Sequence, residues 1–115
     1  MAMAVTVKFH VRAIHDYRRW IKRLERDLGM EGAADYEQEV MLALSESEGE
    51  LPGAKSRATE VPSTRQYTAI FQRTLLEYQV RTRKVFFGLL TVTSEILLLE
   101  IQELPPDVLL PTARR

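Results

Sequence analysis

Forty residues, 64–103, constrain this chain more than any other stretch: TRQYTAIFQRTLLEYQVRTRKVFFGLLTVTSEILLLEIQE. They hold most of its apolar β-formers, interrupted only by short polar groups at QRT, TRK and TSE. Such runs, separated by brief polar breaks, are the pattern of an antiparallel meander. In residues 65–72, Tyr67, Ala69 and Phe71 alternate with Gln66, Thr68, Ile70 and Gln72. In residues 75–83, Leu76, Tyr78 and Val80 alternate with Glu77, Gln79, Arg81 and Arg83. Residues 85–92 are apolar almost throughout, as expected of a central strand covered on both faces. Gly88 inside that run suggests a bulge or a close backbone approach. Residues 95–101 read as a fifth strand or a closing helix, and the TSE break with its β-branched neighbours favours the strand.

A meander needs cover, and the first half of the chain supplies it. In residues 5–12, Val5, Val7, Phe9 and Val11 alternate with Thr6, Lys8, His10 and Arg12, the period of a half-buried strand. At Ile14 the period changes. Ile14, Tyr17, Ile21, Leu24 and Leu28 recur at three and four residues, which predicts an amphipathic helix stopped by Gly29. A second helix is expected over residues 33–45, with Ala33, Tyr36, Val40 and Leu44 on its apolar side. The short link over residues 29–32 favours an antiparallel helical hairpin. Residues 45–63 hold Ser, Glu, Gly and two prolines and read as a loop with a short edge segment near residues 57–61. The order is β-α-α-β-β-β, with one further strand at the end. It predicts a two-layer α+β domain over residues 1–104, with a helical hairpin on an antiparallel sheet and a tail at residues 105–115.

A chain of 115 residues is one domain by length. It buries roughly two thirds of the surface its unfolded form exposes, enough for a core without staples. Cysteine is absent, which excludes disulfides, thiol catalysis and Cys-ligated zinc and fits a reducing, cytoplasmic setting. The opening residues show no signal-peptide pattern, and no apolar run approaches the roughly 20 residues of a membrane span. The net charge of zero conceals blocks of +4 (residues 1–30), −7 (31–53), +5 (54–84) and −2 (85–115). Alternating blocks suggest complementary surfaces more than a uniform nucleic-acid footprint.

The candidate site follows from the polar faces. His10 sits between Lys8 and Arg12 on the polar face of the first strand; Arg81 and Arg83 share the polar face of a later strand with Glu77 and Gln79. If these faces adjoin, they form a cationic surface for phosphate, with an imidazole suited to proton transfer near neutral pH. The same residues also read as a solvated sheet face. A basic ridge on the first helix, Arg19, Lys22, Arg23 and Arg26, faces the same choice between a phosphate backbone, an acidic stripe and plain solvent. His15 at a helix start reads as structural. Two histidines with poorly placed acids offer no metal site, there is no Gly-rich phosphate loop, and no cofactor is expected. Phe86, Phe87, Leu89 and Leu90 form the meander's largest apolar mass, which is either a buried strand or a partner site centred on Phe87 and Leu89.

This order of elements resembles the small bacterial toxins of the RelE/ParE superfamily. The likeness lies in an opening strand leading into VRAIHDYRRWIKRLE (residues 11–25), in LLEYQVRTRKVFFGLLTV (residues 75–92), and in the Leu51-Pro52-Gly53 break. It covers about residues 3–95 and is one of order and texture. The resemblance implies a toxin–antitoxin component acting on mRNA during translation or on DNA gyrase, neutralised by an antitoxin chain. In ribonuclease members, basic and aromatic groups on the concave sheet face stabilise phosphate charge and move the 2′-hydroxyl proton. The residues here available for such a role are His10, Glu77 and Arg81, with Lys8, Arg12, Arg73 and Arg83 for phosphate. The chain departs from the pattern in two places. Leu75 stands where many members have Arg, the nearest being Arg73, and Ser94 and Glu95 stand where many have His or Arg. A different class, a non-enzymatic interaction or self-associating domain, fits the same apolar mass.

Overall fold

The computed structural model describes residues 5–72 and 74–103. Strand β1 (Thr6–Phe9) leads into helix α1 (Val11–Glu46). The short β2 (Lys55–Ala58) follows, then β3 (Thr64–Phe71), β4 (Thr74–Val85) and β5 (Leu90–Glu103). The strands form one sheet in the order β1-β5-β4-β3-β2, with α1 packed on one face. This is the expected two-layer α+β domain, but the sheet is mixed. β2 to β5 run antiparallel, while β1 pairs in parallel with β5, Thr6 opposite Glu95 and Phe9 opposite Leu98. The meander starts at the far edge and walks back, so that its last strand, β5, lies beside the chain's opening strand, β1. No helix among the described residues is long and apolar enough to cross a membrane.

Helix α1 is a hairpin in one continuous run. Its break is Gly29, at φ 81° and ψ 169°, a conformation open to glycine alone. The rings of Trp20 and Tyr36 lie 5.9 Å apart across that break. Sixteen residues of straight helix would separate them by about 24 Å, so the second arm folds back on the first. Ala13, Trp20 and Leu24 of one arm and Ala33, Val40 and Leu44 of the other are buried. The helix begins earlier than the periodicity of residues 14–28 suggests. His10 is its N-cap, with Nδ1 accepting from the Arg12 N–H at 3.1 Å. The capping side chain ends the first strand at Phe9 and carries Arg12 into the helix.

The core lies between α1 and the sheet face that carries Tyr67, Ala69, Leu76, Tyr78, Val80, Ile96, Leu98 and Ile101. Tyr67 and Tyr78 stack across β3 and β4 with centroids 5.5 Å apart and planes 4° off parallel. The buried Tyr78 hydroxyl donates to the Gly49 carbonyl at 2.5 Å, which ties the segment after α1 to the centre of the sheet. Burial pushes the Tyr78 phenol up to about 12; the neighbouring Tyr67 and Glu50 add to the rise, and a backbone hydrogen bond at Leu51 opposes it.

The later meander corrects the sequence reading in three places, the first being TRK, which is no break because β4 runs through residues 82–84 to Val85. Residues 85–92 are not a buried central strand. They hold a reversal at residues 86–89, where Leu89 N–H donates to Phe86 C=O at 3.1 Å. Phe86, Phe87 and Gly88 all adopt positive φ, the chirality that matches the twist of a hairpin. The TSE group is no break either. β5 runs straight through it, and the pairing with β4 shifts between Arg81↔Glu95 and Thr82↔Thr93, leaving Ser94 as the extra residue of a bulge. Ser94 Oγ donates to the Arg81 carbonyl at 3.1 Å. Residues 95–101 are strand, as expected. The edge segment falls at β2, slightly before the predicted residues 57–61.

Candidate functional site

Side chains alternate across a strand, so one face of the sheet is fixed as soon as the other is buried. With Val7, Phe9, Tyr78, Val80, Ile96 and Leu98 turned toward α1, the residues between them turn away. That places Lys8, Gln79, Arg81, Glu95 and Leu97 on the far face, and no helix among the described residues packs there. Gln66 and Glu77 join them, and the register sets Arg57 opposite Gln66 and Lys55 opposite Thr68 on the same side. The face is therefore polar with a cationic surplus, crossed by a few half-buried aliphatic side chains.

Two small clusters order it. Lys8 Nζ lies 3.0 Å from Glu95 Oε1, and Arg81 Nη1 lies 4.0 Å from Glu95 Oε2, so two cations from different strands bracket one carboxylate. The second cluster lies four residues back along β4, where Glu77 Oε2 accepts from Gln66 Nε2 at 2.7 Å. Glu77 also faces Glu100 directly across the ladder. Exposed pairs of this kind contribute about 0–1 kcal/mol each. Their effect is positional, since they hold the Arg81 and Lys8 head groups over the sheet rather than along its rim.

The three residues considered for proton transfer do not converge. Glu77 and Arg81 are four residues apart on β4, about 13 Å along the strand. His10 lies just beyond β1, its N–H bonded to the Leu98 carbonyl at 2.8 Å and its Nδ1 occupied by the helix cap. That cap requires an Nδ1 without a proton, so the imidazole can offer only Nε2 outward. Arg12 is exposed in the first turn of α1, away from the strand where alternation had set it. Arg83 is exposed two residues beyond Arg81 on the same face of β4. Arg73 lies outside the described residues. Phe87 and Leu89 stand at the hairpin tip, 105% and 83% exposed.

Two features escaped sequence reasoning. Glu95, the carboxylate that joins Lys8 to Arg81, was hidden because TSE reads as a turn. Its signal was the alternation of Glu95 and Leu97 with Ile96 and Leu98. The other is a cleft of about 400 Å³ between the first arm of α1 and the end of β5, lined by Asp16, Arg19, Trp20, Arg23 and residues 100–103. Its rim carries Arg19–Asp16 and Arg23–Glu103 ion pairs at 2.9 and 3.2 Å. Trp20 Nε1 is buried and has no hydrogen-bond partner among the described residues.

No family model matches the chain and no curated protein matches it. Among solved structures, it is similar to a chain of the chromosomal ParDE TA system from P. aeruginosa, at 19% identity and a TM-score of 0.48 over 88% of this chain and 97% of that chain.

Proposed function

We propose that this chain is a toxin-like component of a bacterial toxin–antitoxin pair, acting in the cytoplasm on translating mRNA or on DNA gyrase and neutralised by a partner chain. The observation that carries this reading is the polar sheet face opposite the helical hairpin. In a two-layer domain the second face of the sheet carries no helix, and a polar face is stable there in water. Here no described helix covers one side, which presents Lys8, Arg57, Arg81 and Arg83 in rows, with carboxylates only at intervals. Such a surface fits an anionic macromolecule or an acidic protein patch. A neutralising partner would act by covering it.

Between the two targets, the geometry favours binding over cleavage. A ribonuclease needs a base, an acid and a cation within reach of one phosphodiester. In a cleaving version, Glu77 or His10 would take the 2′-hydroxyl proton, Arg81 would meet the phosphate charge, and Lys8, Arg12, Arg73 and Arg83 would hold flanking phosphates. His10 beyond the end of the edge strand β1, and Glu77 and Arg81 four residues apart on the central β4, support a docking face without proton transfer. The test is induction of the full chain alone in bacteria, followed by growth, mRNA integrity and plasmid supercoiling. The reading expects growth arrest with altered supercoiling and intact mRNA, relieved in an Arg81→Ala, Arg83→Ala variant. Fragmented mRNA would favour the cleaving version; normal growth with all three measures unchanged removes the toxin reading.

A further inference from the structure

β4 and β5 outrun their neighbours. β3 meets β4 last at Thr64↔Arg81, and β1 meets β5 last at Thr6↔Glu95. Thr82 is still held by Ser63, through its N–H to the carbonyl at 2.8 Å. Beyond it the two strands form an arm that no other described strand flanks. Its tip exposes Phe86, Phe87, Leu89 and Leu90 at 67%, 105%, 83% and 52%. Its shaft carries the exposed Arg83 and Lys84, and no acid lies between Arg81 and Glu95. Phe86 and Phe87 also hold positive φ, at 54° and 57°, where Asn or Gly would be relaxed. Strained aromatic side chains standing in water gain nothing for the isolated chain, which marks the tip as a contact.

The matching surface is on the same molecule. The second arm of α1 turns Glu31, Asp35, Glu39 and Glu46 outward, with Leu42 45% and Met30 78% exposed among them. No Lys or Arg occurs in residues 31–54. The relative placement decides how the two surfaces meet. The C-terminal end of α1 abuts the base of the arm, where Thr93 Oγ1 donates to Glu48 C=O at 3.4 Å. Its other end lies far down the sheet, where Tyr36 Oη and Thr74 Oγ1 are 2.9 Å apart and Gln72 Nε2 donates to Glu39 Oε2 at 3.4 Å. The cationic arm and the acidic helix thus run in opposite directions from one point, and the arm cannot fold onto its own helix.

We infer that the arm docks on the acidic helix of a second copy of this chain, in a two-fold dimer whose axis passes near the base of the arm. A two-fold there lays each arm along the other copy's helix, so the contact is made twice and closes. The lengths agree: residues 82–87 span about 20 Å as strand, and residues 31–46 about 24 Å as helix. The apolar tip reaches the Met30 end of that helix, and Lys84, with Arg83 flanking it from the arm's other face, lies by the carboxylate row near Leu42. This association does not depend on the toxin reading.

The test is sedimentation equilibrium of the full chain at low and high salt. The expected result is a dimer whose Kd weakens about tenfold or more as salt screens the opposed charges. Arg83→Glu with Lys84→Glu gives a monomer, and so does Asp35→Lys with Glu39→Lys. An equimolar mixture of the two variants restores a heterodimer, because both contacts are then matched. Phe87→Ser with Leu89→Ser is monomeric with unchanged circular dichroism; should that variant misfold, the charge-swapped pair decides alone. A wild type that stays monomeric, a dimer indifferent to both charge reversals, or a mixture that fails to associate overturns the inference. So does a monomer that binds anionic phosphatidylserine vesicles through Phe87, which would assign the tip to lipid.

Discussion

Gly49 is where the chain is least free to change. It sits at φ +86°, and a Cβ placed there would collide with Val80 Cγ2 in the core. Both the left-handed backbone and the overlap count against any side chain, so Gly49→Ala is expected to destabilise by about 2–4 kcal/mol. Thermal melting shows this as a midpoint lower by roughly 10 °C or more. Its carbonyl receives the Tyr78 hydroxyl, and that bond gives a second expectation. The folded state holds the Tyr78 phenol at about 12, above its value of 10.0 in an unfolded chain. A raised folded value stabilises fully below the unfolded one and is lost as pH climbs through the folded one. Stability should therefore fall between about pH 10 and 12. Tyr78→Phe should cost about 1 kcal/mol at neutral pH for the lost hydrogen bond and show a shallower alkaline decline. Denaturant midpoints of both proteins from neutral to alkaline pH check the pair. Tyr78 was legible as a core residue from the alternation of Leu76, Tyr78 and Val80. Gly49 was not, since SEGELPG reads as loop and nothing local says that the loop presses on Val80.

At the scale of elements, glycine and phenylalanine exchange their customary places. Gly29 interrupts what is otherwise a 36-residue helix. Alanine is the better helix former by about 1 kcal/mol, and a Cβ at Gly29 would meet nothing within 4 Å. Gly29→Ala should nonetheless destabilise by about 1–3 kcal/mol, because φ 81° with ψ 169° is accessible to glycine alone. Urea denaturation measures it, and a stabilised variant would mean that the two arms do not fold back on each other. The reversal at residues 86–89 shows the opposite substitution. Phe87 occupies a left-handed position that Asn takes cheaply, so Phe87→Asn should stabilise the monomer by about 1 kcal/mol in dilute denaturant titrations. The hairpin of α1 was readable from two apolar periods separated by Gly29. The β-turn was not, because Val85, Phe86 and Phe87 have the side chains of a buried strand and Gly88 reads equally as a bulge or a close backbone approach within one. TSE misled for the converse reason, since a polar triplet with Ser looks like a turn but can equally be absorbed as a bulge in a long strand.

For the whole molecule, two layers and the order of elements were legible because periods of two and 3.6 residues occupy separate parts of the chain. The parallel partner of β1 was not, since no local residue states which edge an opening strand will join. The open face was legible only in outline. Alternation put Lys8 on the polar face of one strand and Glu77, Arg81 and Arg83 on that of another, but their joining, and the carboxylate that binds Lys8 to Arg81, are set by register between strands nearly ninety residues apart in sequence. That same register has a consequence for synthesis. Phe9 sits opposite Leu98, and the face of α1 that buries Trp20 and Leu24 rests on strands made later. At about 5–20 residues per second, the helical hairpin waits on the order of ten seconds for its floor. Through that interval, a nascent chain carries an uncovered apolar helix pair and an unpaired first strand. The sheet is thus complete only once residue 103 has been made, and the early segments are the natural clients of whatever holds unfinished chains.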